Sequence, residues 1–289
     1  MLWEGRRESS NVDDRRGISG GNILAGGGIL GVIALVINLL LGGDTSQLPQ
    51  SLPMNGGGGS NMSAQQTAAD DRRAGFVKVV LADTEDIWGQ IFKENGGTYT
   101  DPTLVLFRDG VQSGCGGASS SSGPFYCPAD QKLYIDLSFY EELQNRFNAP
   151  GDFAMAYVIA HEVGHHVQYL MGTSAKMQRL RSQLSESEYN RYSVMLELQA
   201  DFYAGVWANR ERNLTSADQR SVIEPGDVEE ALNAANAIGD DRLQQETQGR
   251  IVPDAFTHGT SAQRMYWFKK GYQTGDIKQG DTFSDPSLR

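Results

Sequence analysis

The sequence predicts an α+β domain, mainly helical with a small sheet, preceded by one apolar N-terminal span. Three observations carry this reading. A helical repeat of apolar residues runs from Asp71 to Lys93, short branched and aromatic runs bounded by Gly, Ser and Pro follow, and the pattern after about Ser138 is almost entirely helical. Strands grouped between helices, instead of alternating with them, exclude a wound parallel sheet.

The first element is the apolar span. No charged residue occurs from Gly17 to Gly43, and NILAGGGILGVIALVINLLLGG, from Asn22 onward, has the roughly 20 residues that cross a bilayer. Residues 18–43 are therefore expected to be a transmembrane anchor in contact with lipid. It is too long for the h-region of a cleaved signal peptide, which has roughly 7 to 15 residues. Arg6, Arg7, Arg15 and Arg16 precede it, and no Lys or Arg lies between Asp44 and Asp71. By the positive-inside rule, residues 1–17 are expected in the cytoplasm and everything after Gly43 outside it. Residues 44–70, rich in Gly, Ser, Gln and Pro, are expected to be a flexible tether.

Residues 71–289 then form the working domain. Its opening helix repeats Phe76, Val79, Val80, Ile87, Trp88, Ile91 and Phe92 at helical spacing. The strand-like runs are TLVLF (103–107), PFYC (124–127) and KLYIDLSF (132–139). Cys115 and Cys127, the only cysteines, flank an eleven-residue Gly/Ser-rich spacer with too little apolar mass to bury two thiols, so a disulfide is expected. With 36 acidic against 25 basic residues, a net charge of −11 and no long Lys/Arg run, nucleic acid is not an expected partner.

The chemistry concentrates in HEVGHHVQ, residues 161–168, inside a helical pattern from about Asp152 to Met171. His161 and His165, four apart, project from one helix face and can bind one zinc ion, with Glu162 placed to reach a metal-bound water. Random placement of this composition gives such a motif roughly three times in a thousand, a small false-positive risk. A catalytic zinc needs a third protein ligand and an open fourth position. Gln168 and Met171 exclude the HExxHxxGxxH solution, and His166, about 100° around the helix, is read as a packing or surface residue.

The third ligand is expected to be Glu197 in LELQADFYAG. Asp201, one turn on, would accept the free N–H of a ligating histidine. His258, in FTHGTSAQR, is a candidate to hydrogen-bond a developing oxyanion or to cap the following helix. Arg264 is a second oxyanion candidate or a partner for Asp201, with a structural salt bridge the favoured reading.

These segments resemble the bacterial neutral zinc metallopeptidases, membrane-anchored relatives of the gluzincin group. The resemblance rests on the N-terminal span, HEVGHHVQ, CGGASSSSGPFYCPADQKLYIDLSF (115–139), ELQADFYAGVWA (197–208) and THGTSAQR (257–264). It implies a zincin-like fold, one Zn2+ on His161, His165 and Glu197, Glu162 as catalytic base and Asp201 behind the ligands. The expectation is a single-pass peptidase of the bacterial inner membrane that cleaves peptides or proteins, with the 132–139 strand aligning substrate by edge pairing. Two rival readings are a catalytically silent, zinc-stabilised membrane scaffold and a zinc hydrolase of nonpeptide amides.

Overall fold

The computed structural model describes residues 1–17, 64–215 and 220–288. Its elements, in chain order, are β1 (Val12–Asp14), α1 (Ala64–Glu94), β2 (Thr103–Phe107), β3 (Gly110–Ser113), β4 (Gly116–Ser119), β5 (Phe125–Cys127) and β6 (Lys132–Asp136). The helical part follows as α2 (Phe139–Asn145), α3 (Asp152–Leu170), α4 (Thr173–Arg181), α5 (Glu186–Glu211), α6 (Asp227–Ala237), α7 (Asp240–Gln248) and α8 (Ser261–Thr274). The predicted class, mainly helical with a small sheet, is the observed one.

The main sheet has the order β1-β2-β6-β5, with β5 antiparallel to β6 and the other neighbours parallel. β6 is thus an interior strand, paired with β2 through Thr103↔Lys132 to Phe107↔Asp136 and with β5 through Phe125↔Tyr134 to Cys127↔Lys132. Its ladder is used on both sides, so the expected substrate pairing on 132–139 has no free edge there. The edge strands are β1 and β5. A short hairpin of β3 and β4 stands beside the sheet, and the expected Cys115–Cys127 disulfide ties its turn to β5. Closing so short a loop contributes about 3 kcal/mol in the chain-entropy model.

α3 is the central helix. Phe153, Tyr157, Ile159, Val163 and Val167 are all fully buried, and the flanking helices and sheet cover it on every side. Small residues set how closely the helices approach. A Cβ on Gly164 would lie 3.0 Å from the Ala200 carbonyl oxygen, so α3 and α5 meet backbone to backbone at the motif itself. Between α5 and α8 the approach is closer: a Cβ on Gly205 would stand 2.0 Å from the Phe268 oxygen, and one on Gly271 2.1 Å from the Phe202 oxygen. Capping boxes start α5 at Ser185 with Glu188 and α8 at Thr260 with Gln263.

Two expected boundaries are corrected. α1 begins at Ala64, so residues 64–70 are helical and the tether expected for 44–70 does not extend that far. Residues 1–17 are not a separate unit. β1 pairs with β2 in register Val12↔Leu104, and the Met1 amine lies 3.1 Å from Asp227 Oδ1. Arg6 bonds Asp83 of α1 at 2.7 Å and Glu211 of α5 at 3.0 Å. Sequence patterning missed β1 because NVDD is polar: its support is backbone pairing and ion pairs, not an apolar face. The expected anchor at 18–43 lies outside the described residues, and among those that are described no helix is long and apolar enough to cross a membrane.

Candidate metal centre

α3 and α5 bring His161, His165 and Glu197 together. One ligand atom from each lies within 4.8 Å of the others. His161 Nε2 is 3.1 Å from Glu197 Oε2, and His165 Nε2 is 3.5 Å from Glu197 Oε1. The helical spacing of the histidines aims both rings at the facing carboxylate, and the two imidazoles meet edge to face with centroids 4.8 Å apart.

Each histidine is oriented from behind. Asp201 Oδ1 accepts from His161 Nδ1 at 2.8 Å and from the Tyr157 hydroxyl at 2.5 Å. Arg264 bonds both Asp201 oxygens, Nε to Oδ2 and Nη2 to Oδ1, each at 2.9 Å. His165 Nδ1 donates to Gln168 Oε1 at 2.9 Å, while the Gln168 amide donates to the Leu196 carbonyl at 2.7 Å. With an acceptor fixing the proton on each Nδ1, both Nε2 lone pairs point at the space beside Glu197.

The charges call for a cation there. Burial alone would lower His161, but Asp201 on one nitrogen and Glu197 on the other raise it to about 10. Burial would raise Glu197, yet the neighbouring imidazoles of His165 and His258 hold it well below the usual carboxylate range. Asp201 is likewise buried and is drawn down to about 2, chiefly by Arg264 and His161. Two imidazoles and a carboxylate, converging and supported from behind, are the donor set of a three-ligand zinc site, so the residues fit the metal.

Glu162 is buried beside this set, at the wall of a cleft of about 180 Å³ that His161, His165, Glu197, His258 and Arg264 also line. Burial raises its carboxyl, against the opposing pull of the His165 and His161 imidazoles. The rest of the cleft is mostly apolar, with Phe125, Phe139, Phe147, Val158, Ile238 and Leu243 in its walls.

His258 reaches the same cleft from the loop before α8. Its Nδ1 is 3.2 Å from Asp240 Oδ1, and Asp240 Oδ2 accepts the backbone N–H groups of Thr257, His258 and Gly259. Burial works against its charge, but Asp240 and Glu197 raise its pKa above the usual value. Arg264 takes the second of its two expected roles, as the partner of Asp201. His166, expected to pack or face solvent, is buried, with Nε2 2.7 Å from the Thr100 carbonyl and Nδ1 3.1 Å from the Tyr126 hydroxyl. Burial lowers it, in keeping with a neutral ring that pins β5 to α3.

Sequence reasoning missed Tyr157, Gln168 and Asp240. The first two carried a usable signal, because Tyr157 precedes His161 by one turn and Gln168 follows His165 by three residues on the same face.

The model of one protein family, described as "Putative neutral zinc metallopeptidase", matches residues 1–283. The chain belongs to that family. A protein of Escherichia coli strain K12, the uncharacterized protein YpfJ, is 50% identical over 294 aligned residues, covering 98% of this chain and 99% of its own. The uncharacterized proteins Mb2605 of Mycobacterium bovis and Rv2575 of Mycobacterium tuberculosis strain H37Rv are each 40% identical over 260 residues, 88% of this chain and 86% of theirs. No solved structure matches the chain.

Proposed function

We propose that the protein is a zinc-dependent metallopeptidase with Glu162 as its catalytic base. The observation that carries this reading is the convergence of His161, His165 and Glu197 at a cleft whose wall also holds Glu162. Zinc bound by those three side chains would supply a Lewis acid that polarises the scissile carbonyl and acidifies water. Glu162 takes the proton from the attacking water and passes it to the leaving amine. Its raised pKa suits both halves of that task, accepting a proton and then giving it up. His258, whose pKa Asp240 and Glu197 raise against burial, offers an N–H to the oxyanion as charge develops. Asp201 and Arg264 hold the first imidazole in place.

β5 aligns the substrate in this reading. It is a sheet edge that borders the cleft, and an extended peptide would add to it as a further strand. The apolar walls favour peptide side chains over polar polymers, which supports the peptidase over the nonpeptide amidase. A silent scaffold would have no use for a carboxylate at position 162 facing a cleft. The domain works outside the cytoplasm, attached to the membrane through residues 18–43; the disulfide supports an oxidising compartment.

The test is cleavage of an unstructured protein by purified wild type and by Glu162→Gln, with zinc content measured on both. The variant should keep its zinc and lose at least about a hundredfold in rate, the usual contribution of a general base. Equal rates in the two proteins would remove the mechanism.

A further inference from the structure

The chain leaves one folded body at Gly17 and re-enters the same body at Ala64. The seventeen residues before the gap are built into the domain along their length. β1 extends the sheet through Val12↔Leu104, Asp13↔Val105 and Asp14↔Leu106, and the Arg15 amide continues the pairing to the Leu106 carbonyl at 2.8 Å. Trp3 packs edge to face on Phe76 of α1, 5.6 Å between centroids. Ser9 and Asn11 both donate to Glu85 Oε1. Arg6 lies between Asp83 and Glu211, which are 6% and 0% exposed and face no other cation within ion-pair distance among the described residues. A pair of buried carboxylates is costly without such a partner, so the domain is built to receive this arm.

The arginines that sequence reading counted as a topology signal are all engaged in ion pairs. Arg6 is spent on Asp83 and Glu211, Arg7 on Glu85 and Asp86, Arg15 on Asp13, and Arg16 on Asp14 and Asp71. The last pair, Arg16 Nη1 to Asp71 Oδ1 at 3.1 Å, ties the end of the arm to α1.

We infer that residues 1–17 and the catalytic domain lie on the same side of the membrane. Neighbouring strands of a sheet are about 4.8 Å apart, whereas a bilayer core is about 30 Å thick, so β1 and β2 cannot pair across one. A single crossing between 17 and 64 would separate them. Two crossings would take roughly 40 apolar residues, and the run from Asn22 to Gly43 has 22. Given the membrane attachment of the proposed function, on which this inference rests, the N-terminal arm shares the compartment of the active site.

The test uses the full-length protein in its membrane. Glu4→Cys and Gln245→Cys, both at exposed positions, are made singly and labelled with a membrane-impermeant maleimide in intact spheroplasts and in inverted vesicles. The native cysteines are joined in the disulfide and stay silent. Both positions should label from the same side and to the same extent; labelling from opposite sides would overturn the inference. The double variant Glu4→Cys, Arg72→Cys replaces an exposed 3.0 Å ion pair between two long side chains and should be bridged within one chain by a flexible bismaleimide. No cross-link, or a cross-linked dimer, would show that the arm does not dock on its own domain.

Discussion

Asp201 Oδ1 stands 2.8 Å from Nδ1 of His161, and Arg264 grips both oxygens of the same carboxylate. One buried acid thus serves two tasks. It fixes the tautomer of a metal-facing imidazole, and it neutralises an arginine that is 3% exposed.

The two tasks are read by two different measurements. Asp201→Asn keeps an acceptor for His161 but loses the charge, and should weaken zinc binding by about 10- to 100-fold, the usual cost of losing a group behind a ligand. Asp201→Ala should weaken it further by removing the acceptor as well, and both variants strand the Arg264 cation, destabilising the fold by about 3–5 kcal/mol. Competition against a chelator reads the first effect, and denaturant unfolding of the metal-free protein reads the second.

Gln168 gives His165 the support that Asp201 gives His161. It is fully buried, and its amide is tied to Leu196 in α5, so the histidine's acceptor is itself held by the helix that supplies Glu197. Gln168→Ala should lower zinc affinity about tenfold or more. It should also lower stability, because the Leu196 carbonyl loses its side-chain donor. Unchanged affinity would mean that packing alone orients His165.

What the sequence disclosed follows from spacing. His161 and His165, like Glu197 and Asp201, are four apart, so one helical turn puts each pair on a common face, and the site needed only two helices to meet. Asp240 had no such mark: it precedes His258 by 18 residues and reaches it because α7 starts beside the loop that opens α8. TLVLF was legible as a strand from its apolar run, whereas β1 was not, since ion pairs and not apolar burial hold it. Three of the arginines that looked like a membrane signal, Arg6, Arg7 and Arg16, turn out to be anchoring groups of the N-terminal arm on the domain.

The α5 and α8 contact rests on glycine in both directions. Gly205 and Gly271 let the two backbones touch where any Cβ would overlap a carbonyl oxygen. This contact positions Asp201 on one helix against Arg264 on the other. Gly205→Ala should therefore destabilise by more than the about 1–3 kcal/mol of ordinary overpacking, because backbone and not a flexible side chain must move. Thermal unfolding of the metal-free protein is the measurement, and an unchanged midpoint would show that the helices can part without cost.

The pair Asp83 and Glu211 predicts how stability responds to pH. Burial is the main reason that Asp83 rises to about 9, with the Glu211 carboxylate adding to the effect and Arg6 opposing it. The folded chain holds a proton here that the unfolded chain, titrating near the ordinary value of about 4, gives up. Between those two values the folded state binds more protons than the unfolded state, so this group's stabilisation is complete below the unfolded pKa and is lost as pH rises toward the folded one. Asp83→Asn carries a permanent N–H donor in place of the proton and is blind to pH. Its unfolding midpoint should fall less steeply than that of wild type between roughly pH 5 and 9, and the two curves should diverge most at the alkaline end. Parallel curves would place the shared proton elsewhere and leave Arg6 balancing two full charges.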